Sequence, residues 1–144
     1  IHGRTKADGY HADRINWEKI GEVRSRLTIP VIANGEIWRW EDGQACLKAT
    51  GCEDLMVGRG ALNIPNLSLV LKQNCEKMSW TDIQKILQKY AEMENFHDSG
   101  FYHVARIKQW LRYLNKEYPE ADIVFERIKT CQTAEDLRER LCQY

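Results

Sequence analysis

The chain has 144 residues, of which 43% are hydrophobic, and a formal net charge of zero. That length sets a prior of one domain, and the apolar fraction excludes a disordered chain. Zero net charge leaves no global field drawing the chain to nucleic acid, so any RNA affinity has to come from local patches. No apolar run approaches the ~20 residues of a membrane-spanning helix. The opening Ile1-His2-Gly3-Arg4-Thr5 has no signal-peptide pattern, and the expectation is that it continues a longer protein. The five cysteines, Cys46, Cys52, Cys75, Cys131 and Cys142, are odd in number and form no CxxC pair. This argues against a disulfide framework or a zinc site and favours reduced thiols in a cytoplasm, without a metal. Cys46 and Cys52 read as packing residues.

Asn16 is a good N-cap for a helix over residues 17–27, with Ile20, Val23 and Leu27 on one face. Pro30 ends that connection. Val31-Ile32-Ala33 reads as a short buried strand that ends at Asn34-Gly35-Glu36. A helix is expected over residues 41–50, with Gly51 as its stop. Leu55-Met56-Val57 is the next strand and ends at Gly58-Arg59-Gly60. The apolar stretch 64–71 reads as one further helix. The strands are short and continuously apolar, as expected when both faces are covered. Val31 and Leu55 stand about 25 residues apart, and strands alternating with helices mean parallel βα units. Such units do not make a stable sheet in this number, and a barrel of this type needs ~250 residues. The missing part is expected N-terminal to Ile1.

The pattern changes near residues 73–78 and is helical from Ser79 onward. Ser79 with Asp82 resembles a capping box. Ile83, Ile86, Leu87, Tyr90 and Met93 form one apolar stripe, and Gly100 breaks the run. Val104, Ile107, Leu111 and Leu114 form the next stripe, which ends near Pro119. Helices are then expected over residues 120–129 and 134–142, the last capped by Thr133.

Three segments fall at expected strand ends: His2-Gly3-Arg4-Thr5, Asn34-Gly35-Glu36 and Gly58-Arg59-Gly60. In parallel barrels the C-terminal strand ends build the active site, and the last two frequently bind phosphate. Glycine lets the backbone approach a ligand closely, amides at a helix start attract anions, and Arg59 would add a charge-assisted contact. Taken singly, Asn34-Gly35 reads as a turn, Gly58-Arg59-Gly60 is a weak signal and His2 a structural histidine.

Read together, His2-Gly3-Arg4-Thr5 with Gly9-Tyr10, the run from Pro30 through Asn34-Gly35-Glu36-Ile37, and Val57-Gly58-Arg59-Gly60-Ala61 resemble the tRNA-dihydrouridine synthase family. Gly100-Phe101-Tyr102-His103-Val104-Ala105-Arg106-Ile107-Lys108-Gln109-Trp110-Leu111 is similar to the bacterial C subfamily, which acts on U16 of the tRNA D-loop. The resemblance implies the C-terminal portion of a (β/α)8 barrel followed by a helical-bundle domain. Residues 1–75 would be the last strands and helices of an FMN-binding barrel, and residues 76–144 a helical tRNA-binding domain. It further implies that FMN, reduced by NADPH, delivers hydride to C6 of a flipped uracil while a cysteine acid protonates C5. Carried over by motif, Asn34, Gly35 and Glu36 would line the ribityl chain and phosphate. Gly58 and Arg59 would hold the phosphate, and His2 would sit beside the flavin. The family's catalytic cysteine and flavin-contacting lysine belong to the N-terminal half, so this chain alone is expected to be inactive. The full-length protein is expected to be a cytoplasmic monomer, off the membrane.

Arg106, Lys108, Arg112 and Lys116 form a basic series with no intervening acid. At 100° per residue, Arg106 falls on one flank of the apolar stripe, near Trp110 and Tyr113, and the other three on the opposite flank. Basic groups interleaved with aromatics suit phosphate contact and base stacking. By itself this reads as a solvated helix face. The resemblance makes Arg106, Lys108, Tyr113, Lys129 and, from the barrel rim, Tyr10 the candidate tRNA contacts. Two other readings compete. A phosphate-binding barrel for a small metabolite leaves the tail without a role, and a non-catalytic RNA-binding module leaves the strand ends unexplained.

Overall fold

In a computed structural model of the chain, which describes residues 1–9, 11–93 and 101–141, the Asn16 side chain accepts the Lys19 amide at 2.9 Å and starts helix α1 (Trp17–Arg24). This is the cap expected from the sequence, and it satisfies one of the amides that a helix start leaves unpaired. Two strands form among the described residues, β1 (Ile32–Asn34) and β2 (Asp54–Met56), parallel, with Ala33 opposite Leu55. Helix α2 (Trp40–Thr50) connects them and stops at Gly51, in the left-handed region at φ 65°. On the other side of β1, His2 bridges Asn34 in the parallel sense. The Gly3 amide donates to the Asn34 carbonyl at 3.1 Å and the Asn34 amide to the Ile1 carbonyl at 2.9 Å. Three segments thus run side by side in one direction and end on the same edge.

Ile20, Val31, Ala33, Ile37, Cys46 and Cys52 form the core beneath these segments, with Trp17, Leu55, Val57 and Leu71 packed against it. Ala33, fully buried, points into this core between α1 and α2, whereas Ile32 and Met56 stay 49% and 60% exposed on the other face of the sheet. That alternation follows from the two-residue period of a strand. Of the face expected on α1, only Ile20 is buried; Val23 and Leu27 are 42% and 44% exposed. That flank has no covering element among the described residues.

The helix expected over residues 64–71 starts only at Leu67, after a separate short helix. Helix α3 (Gly60–Asn63) ends at Ile64, which is extended at φ −123°, ψ 98°, and α4 (Leu67–Gln73) follows. Pro65 causes the break, because it lacks an amide and forces the preceding residue out of the helical region. Ile64, Leu67 and Val70 are nonetheless buried together, which explains why the apolar run reads as continuous.

The chain divides into two compact units, Ile1–Lys77 and Met78–Tyr144. The Asn66 side chain donates to the Glu76 carbonyl at 3.0 Å and keeps the exit segment with the first unit. The second contains α5 (Trp80–Glu92), α6 (Phe101–Leu114), α7 (Glu120–Ile128) and α8 (Ala134–Leu141). Ser79 caps α5 by accepting the Asp82 amide at 3.2 Å, and Thr133 caps α8 by accepting the Asp136 amide at 3.2 Å. Val104, Ile107, Leu111 and Leu114 are buried as their spacing requires, against Ile83, Leu87, Val124, Ile128 and Leu137. Each fully buried Leu or Ile contributes about 1.5–3 kcal/mol. The α5 stripe departs from expectation at its end. Met93 lies past the last turn, extended and 61% exposed, and Ala91 takes the buried place. Gly100 and Cys142 fall outside the described residues. No helix among the described residues is long and apolar enough to cross a membrane.

Two glycines of the 58–60 turn differ sharply. A Cβ on Gly60 would lie 2.3 Å from the Ile37 carbonyl oxygen and 2.7 Å from Leu67 Cδ2, whereas one on Gly58 meets nothing within 4 Å. Gly60→Ala is therefore expected to lose about 1–3 kcal/mol or more through overpacking. Gly58→Ala is expected to stay within about 0.5 kcal/mol of the parent. Urea denaturation of both variants checks this, and equal stabilities would contradict the close approach at Gly60.

Candidate anion-binding cleft at three strand ends

The three parallel segments end at residues 2–4, 34–36 and 56–59, and a cleft of about 180 Å³ opens between them. His2, Asn34, Gly35, Glu36, Gly58 and Arg59 all line it, joined by Ile37, Trp38, Met56 and Gly60. The six residues singled out from the sequence as cofactor candidates are thus neighbours in space. Trp38 and Gly60 were not among the candidates. Trp38 stands two residues beyond Glu36, and its aromatic type was the signal available.

The turn after β1 is held in unusual backbone geometry. Gly35 has φ 129° and Glu36 φ 52°. A Cβ on Gly35 would fall 2.3 Å from Ile15 Cδ1. A non-glycine residue at positive φ costs about 1–3 kcal/mol, so neighbours must hold Glu36 there. They do so through its main chain and side chain. The Trp17 indole N–H donates to the Gly35 carbonyl at 3.0 Å, and the Trp38 indole N–H to Glu36 Oε2 at 2.9 Å. Glu36 Oε1 receives Arg4 Nη2 at 2.7 Å and Arg59 Nη2 at 2.8 Å. Glu36 and Arg4 are buried, at 8% and 5% side-chain exposure, but Arg59 retains 43%. Its guanidinium also lies 5.3 Å from the Trp38 ring centroid. Arg4 was part of a quoted motif but received no role from the sequence.

Asn34 is turned along the sheet, its side-chain amide donating to the Met56 carbonyl at 3.1 Å. The helix-start amides of Ala61, Leu62 and Asn63 are already engaged. They donate to the carbonyls of Gly58, Arg59 and Arg59 at 3.0, 3.0 and 3.3 Å. An anion in the cleft would therefore depend chiefly on the Arg59 side chain and the open space over Gly58. His2 is the titratable group beside it. Burial, then the neighbouring Arg4 cation, lower the His2 pKa, and Glu36 partly opposes them. Its Nδ1 accepts the Arg4 amide at 3.1 Å, which leaves Nε2 to carry the proton of the neutral ring.

The tail candidates take different positions in the second unit. Arg106 is exposed. Its Nε donates to the Tyr102 hydroxyl at 2.7 Å and its Nη1 to Gln109 at 3.1 Å, with the guanidinium 4.8 Å from the Tyr102 ring centroid. Lys108 is half-buried and donates to the Cys131 carbonyl at 2.6 Å. Tyr113 is half-buried with Lys116 Nζ 5.4 Å from its ring centroid. Lys129 is exposed and pairs with Glu126 at 2.5 Å. Arg112 lies 4.0 Å from the Phe125 ring centroid. Tyr10 falls outside the described residues.

The fold and cleft define a parallel βα scaffold with a cationic site at its strand ends, followed in the chain by a helical unit. The family described as Dihydrouridine synthase (Dus) matches residues 1–142. The chain belongs to this family. It is 79% identical over 141 residues to the tRNA-dihydrouridine(16) synthase of Haemophilus influenzae, covering 98% of this chain and 46% of that protein. It is 65% identical to that of Pasteurella multocida, covering 98% and 45%. To that of Escherichia coli K12 it is 53% identical over 137 residues, covering 95% and 44%. The chain spans about half the length of the curated relatives it matches.

The lowered His2 pKa gives a direct expectation. NMR titration of the imidazole should have its midpoint below the ordinary 6.5. The neutral ring should be the Nε2–H tautomer. A depressed folded-state value means that protonation opposes folding. The His2 contribution is thus complete above about 6.5 and is lost as pH falls through the folded-state pKa. A midpoint at or above the ordinary value would contradict the packing of His2 against Arg4.

Proposed function

We propose that the chain is the C-terminal part of a flavin-dependent enzyme that reduces uridine to 5,6-dihydrouridine in the D-loop of tRNA, at position 16. The observation that carries this reading is the convergence of His2, Asn34, Gly35, Glu36, Gly58 and Arg59 on one cleft, in a chain of this family. The relatives' names supply the position in tRNA. The adjacent parallel segments would be the last strands of a (β/α)8 barrel, with residues 1–75 belonging to it and residues 76–144 forming a tRNA-binding domain. The uncovered sheet face at Ile32 and Met56 would then point into the barrel, whose interior is packed with apolar side chains. The protein would work in the cytoplasm, as a monomer.

The cleft residues fit the phosphate end of FMN. Space is open over Gly58, and Arg59 is the half-exposed cation at its edge. At about 180 Å³ the cleft is smaller than the 300–1,000 Å³ typical of a pocket for a drug-sized ligand. It suits a phosphate and the adjoining polyol, while the ring needs walls from the rest of the protein. When bound, FMN reduced by NADPH would supply the hydride added at uracil C6. Arg59 and the backbone around Gly58 would hold the phosphate. Asn34, Gly35 and Glu36 would set the floor beneath the polyol. His2, neutral near pH 7, would offer an Nε2–H donor at the flavin edge without placing a cation there. The proton for C5 would come from a cysteine acid outside this chain; no cysteine is among the residues that line the cleft. Burial raises the Cys46 thiol to about 11. Arg106, Lys108, Tyr113, Lys129 and Tyr10 would contact tRNA.

In the full-length protein, Arg59→Ala should lose flavin on purification. A charge-assisted contact contributes about 1.5–3 kcal/mol, or roughly a 10- to 150-fold weaker Kd. Flavin fluorescence on titration measures it, and full FMN occupancy at low micromolar protein would refute the phosphate role.

Arg106→Ala should weaken binding of unmodified tRNA and flatten its log–log salt dependence by about 0.7, the value of one single-strand phosphate contact. Lys108→Ala should do the same but also lower stability, because Lys108 secures the Cys131 carbonyl. A salt series with both variants checks this. An unchanged slope in Arg106→Ala would return that residue to a solvated helix face.

A further inference from the structure

We propose that Arg4 is a positioning residue for the cleft: by keeping the Glu36 carboxylate compensated, it frees the Arg59 guanidinium to engage a phosphate. The inference rests on the reading of Arg59 as a phosphate ligand. Both arginines bond the same atom, Glu36 Oε1, at 2.7 and 2.8 Å. One carboxylate thus faces two guanidinium groups, and the cluster holds one excess positive charge. The two cations differ in access. Arg4 keeps 5% of its side-chain surface and Arg59 43%. Arg4 is also fixed from behind, its Nη1 donating to the His11 carbonyl at 2.9 Å. Arg59 rests on the Trp38 face at the cleft edge, so an anion reaches Arg59 and not Arg4.

Glu36 itself is buried, at 8% exposure. If Arg59 turned to a phosphate with no second cation present, a buried carboxylate would be left unpaired, which is strongly unfavourable. With Arg4 in place, Oε1 keeps a guanidinium and Oε2 keeps the Trp38 indole. Arg59 can then exchange one anion for another without isolating Glu36. Arg4 acts through Glu36 and never touches the ligand. Without Arg4, Glu36 competes with the phosphate for Arg59.

The test is a double-mutant cycle in the flavin-free full-length protein, with FMN as the probe. Affinity is read by fluorescence titration and unfolding midpoints are recorded in parallel. Arg4→Met should weaken FMN at least about tenfold, the loss expected from a buried carboxylate competing for Arg59. Adding Glu36→Gln to Arg4→Met should restore most of that loss, because a neutral amide no longer competes. A role confined to packing would not be rescued in this way. Equal affinity of Arg4→Met with and without Glu36→Gln would overturn the proposal. Should Arg4→Met alone fail to fold, Arg4→Met/Glu36→Gln decides against the parent: FMN binding within about tenfold supports the proposal, and loss of binding overturns it. Arg59→Ala separates the two readings. If its affinity is unchanged, the phosphate role fails. If it weakens while the cycle shows no coupling, only the role of Arg4 fails.

Discussion

The Glu36 carboxylate fixes the edge of the first unit where its three parallel segments end. One arginine reaches it from the segment before α1 and another from the turn after β2, while Trp38 reaches it from the start of the same crossover. Each segment is short: β1 and β2 have three residues apiece, and the first neighbour is a single bridge. Ladder hydrogen bonds in such short strands do not by themselves set how the chain leaves the sheet. A buried acid that must find cations does, because leaving it unpaired costs several kcal/mol. The positive φ of Glu36 is strain of about 1–3 kcal/mol, smaller than the cost of releasing the carboxylate. The ion-pair cluster therefore holds the strained turn, and the turn in turn brings Gly35 and Asn34 to the cleft wall. A stability cost accompanies this arrangement, since Arg4 Nε is buried with no hydrogen-bond partner among the described residues.

What could be read from the sequence follows the range of the interaction. The Asn16, Ser79 and Thr133 caps were legible because each pairs with an amide three residues away. The α6 stripe was legible because a regular period of apolar residues survives any tertiary arrangement that covers it. Pro65 was visible too, but the apolar character of Ile64, Leu67 and Val70 is the same inside a helix or ahead of its start, so composition masked the later start at Leu67. Val23 and Leu27 were misread for a different reason. Their spacing says they are available for burial, and only a covering element decides whether they are buried. The candidate site was legible as a set of motifs, since strand ends with Gly, Asn and Arg are brought together by parallel topology. The Arg4–Glu36–Arg59 cluster was not. Its members are 32 and 23 residues apart, and no local rule joins them.

The second unit shows why a basic series on a helix says little until its partners are known. Lys108 donates to the Cys131 carbonyl, and Arg140 donates to the Arg127 carbonyl at 2.9 Å and to Thr130 Oγ1 at 3.2 Å. Both cations sit at the C-terminal end of α7, where carbonyls lack helical partners and the dipole favours positive charge. Lys108 thereby ties α6 to the α7–α8 connection. Arg106 instead rests against an aromatic side chain on its own helix, as Arg112 rests against Phe125 of α7. Placement over a ring restricts a guanidinium without burying it, which lowers the entropy lost when it meets a phosphate. The same residue type thus has two uses here. Lysine and arginine at the end of α7 hold the bundle together, while arginines over Tyr102 and Phe125 are pre-oriented at the surface. Under the tRNA-binding reading proposed above, the surface pair is where a phosphate would gain a contact without removing a helix cap.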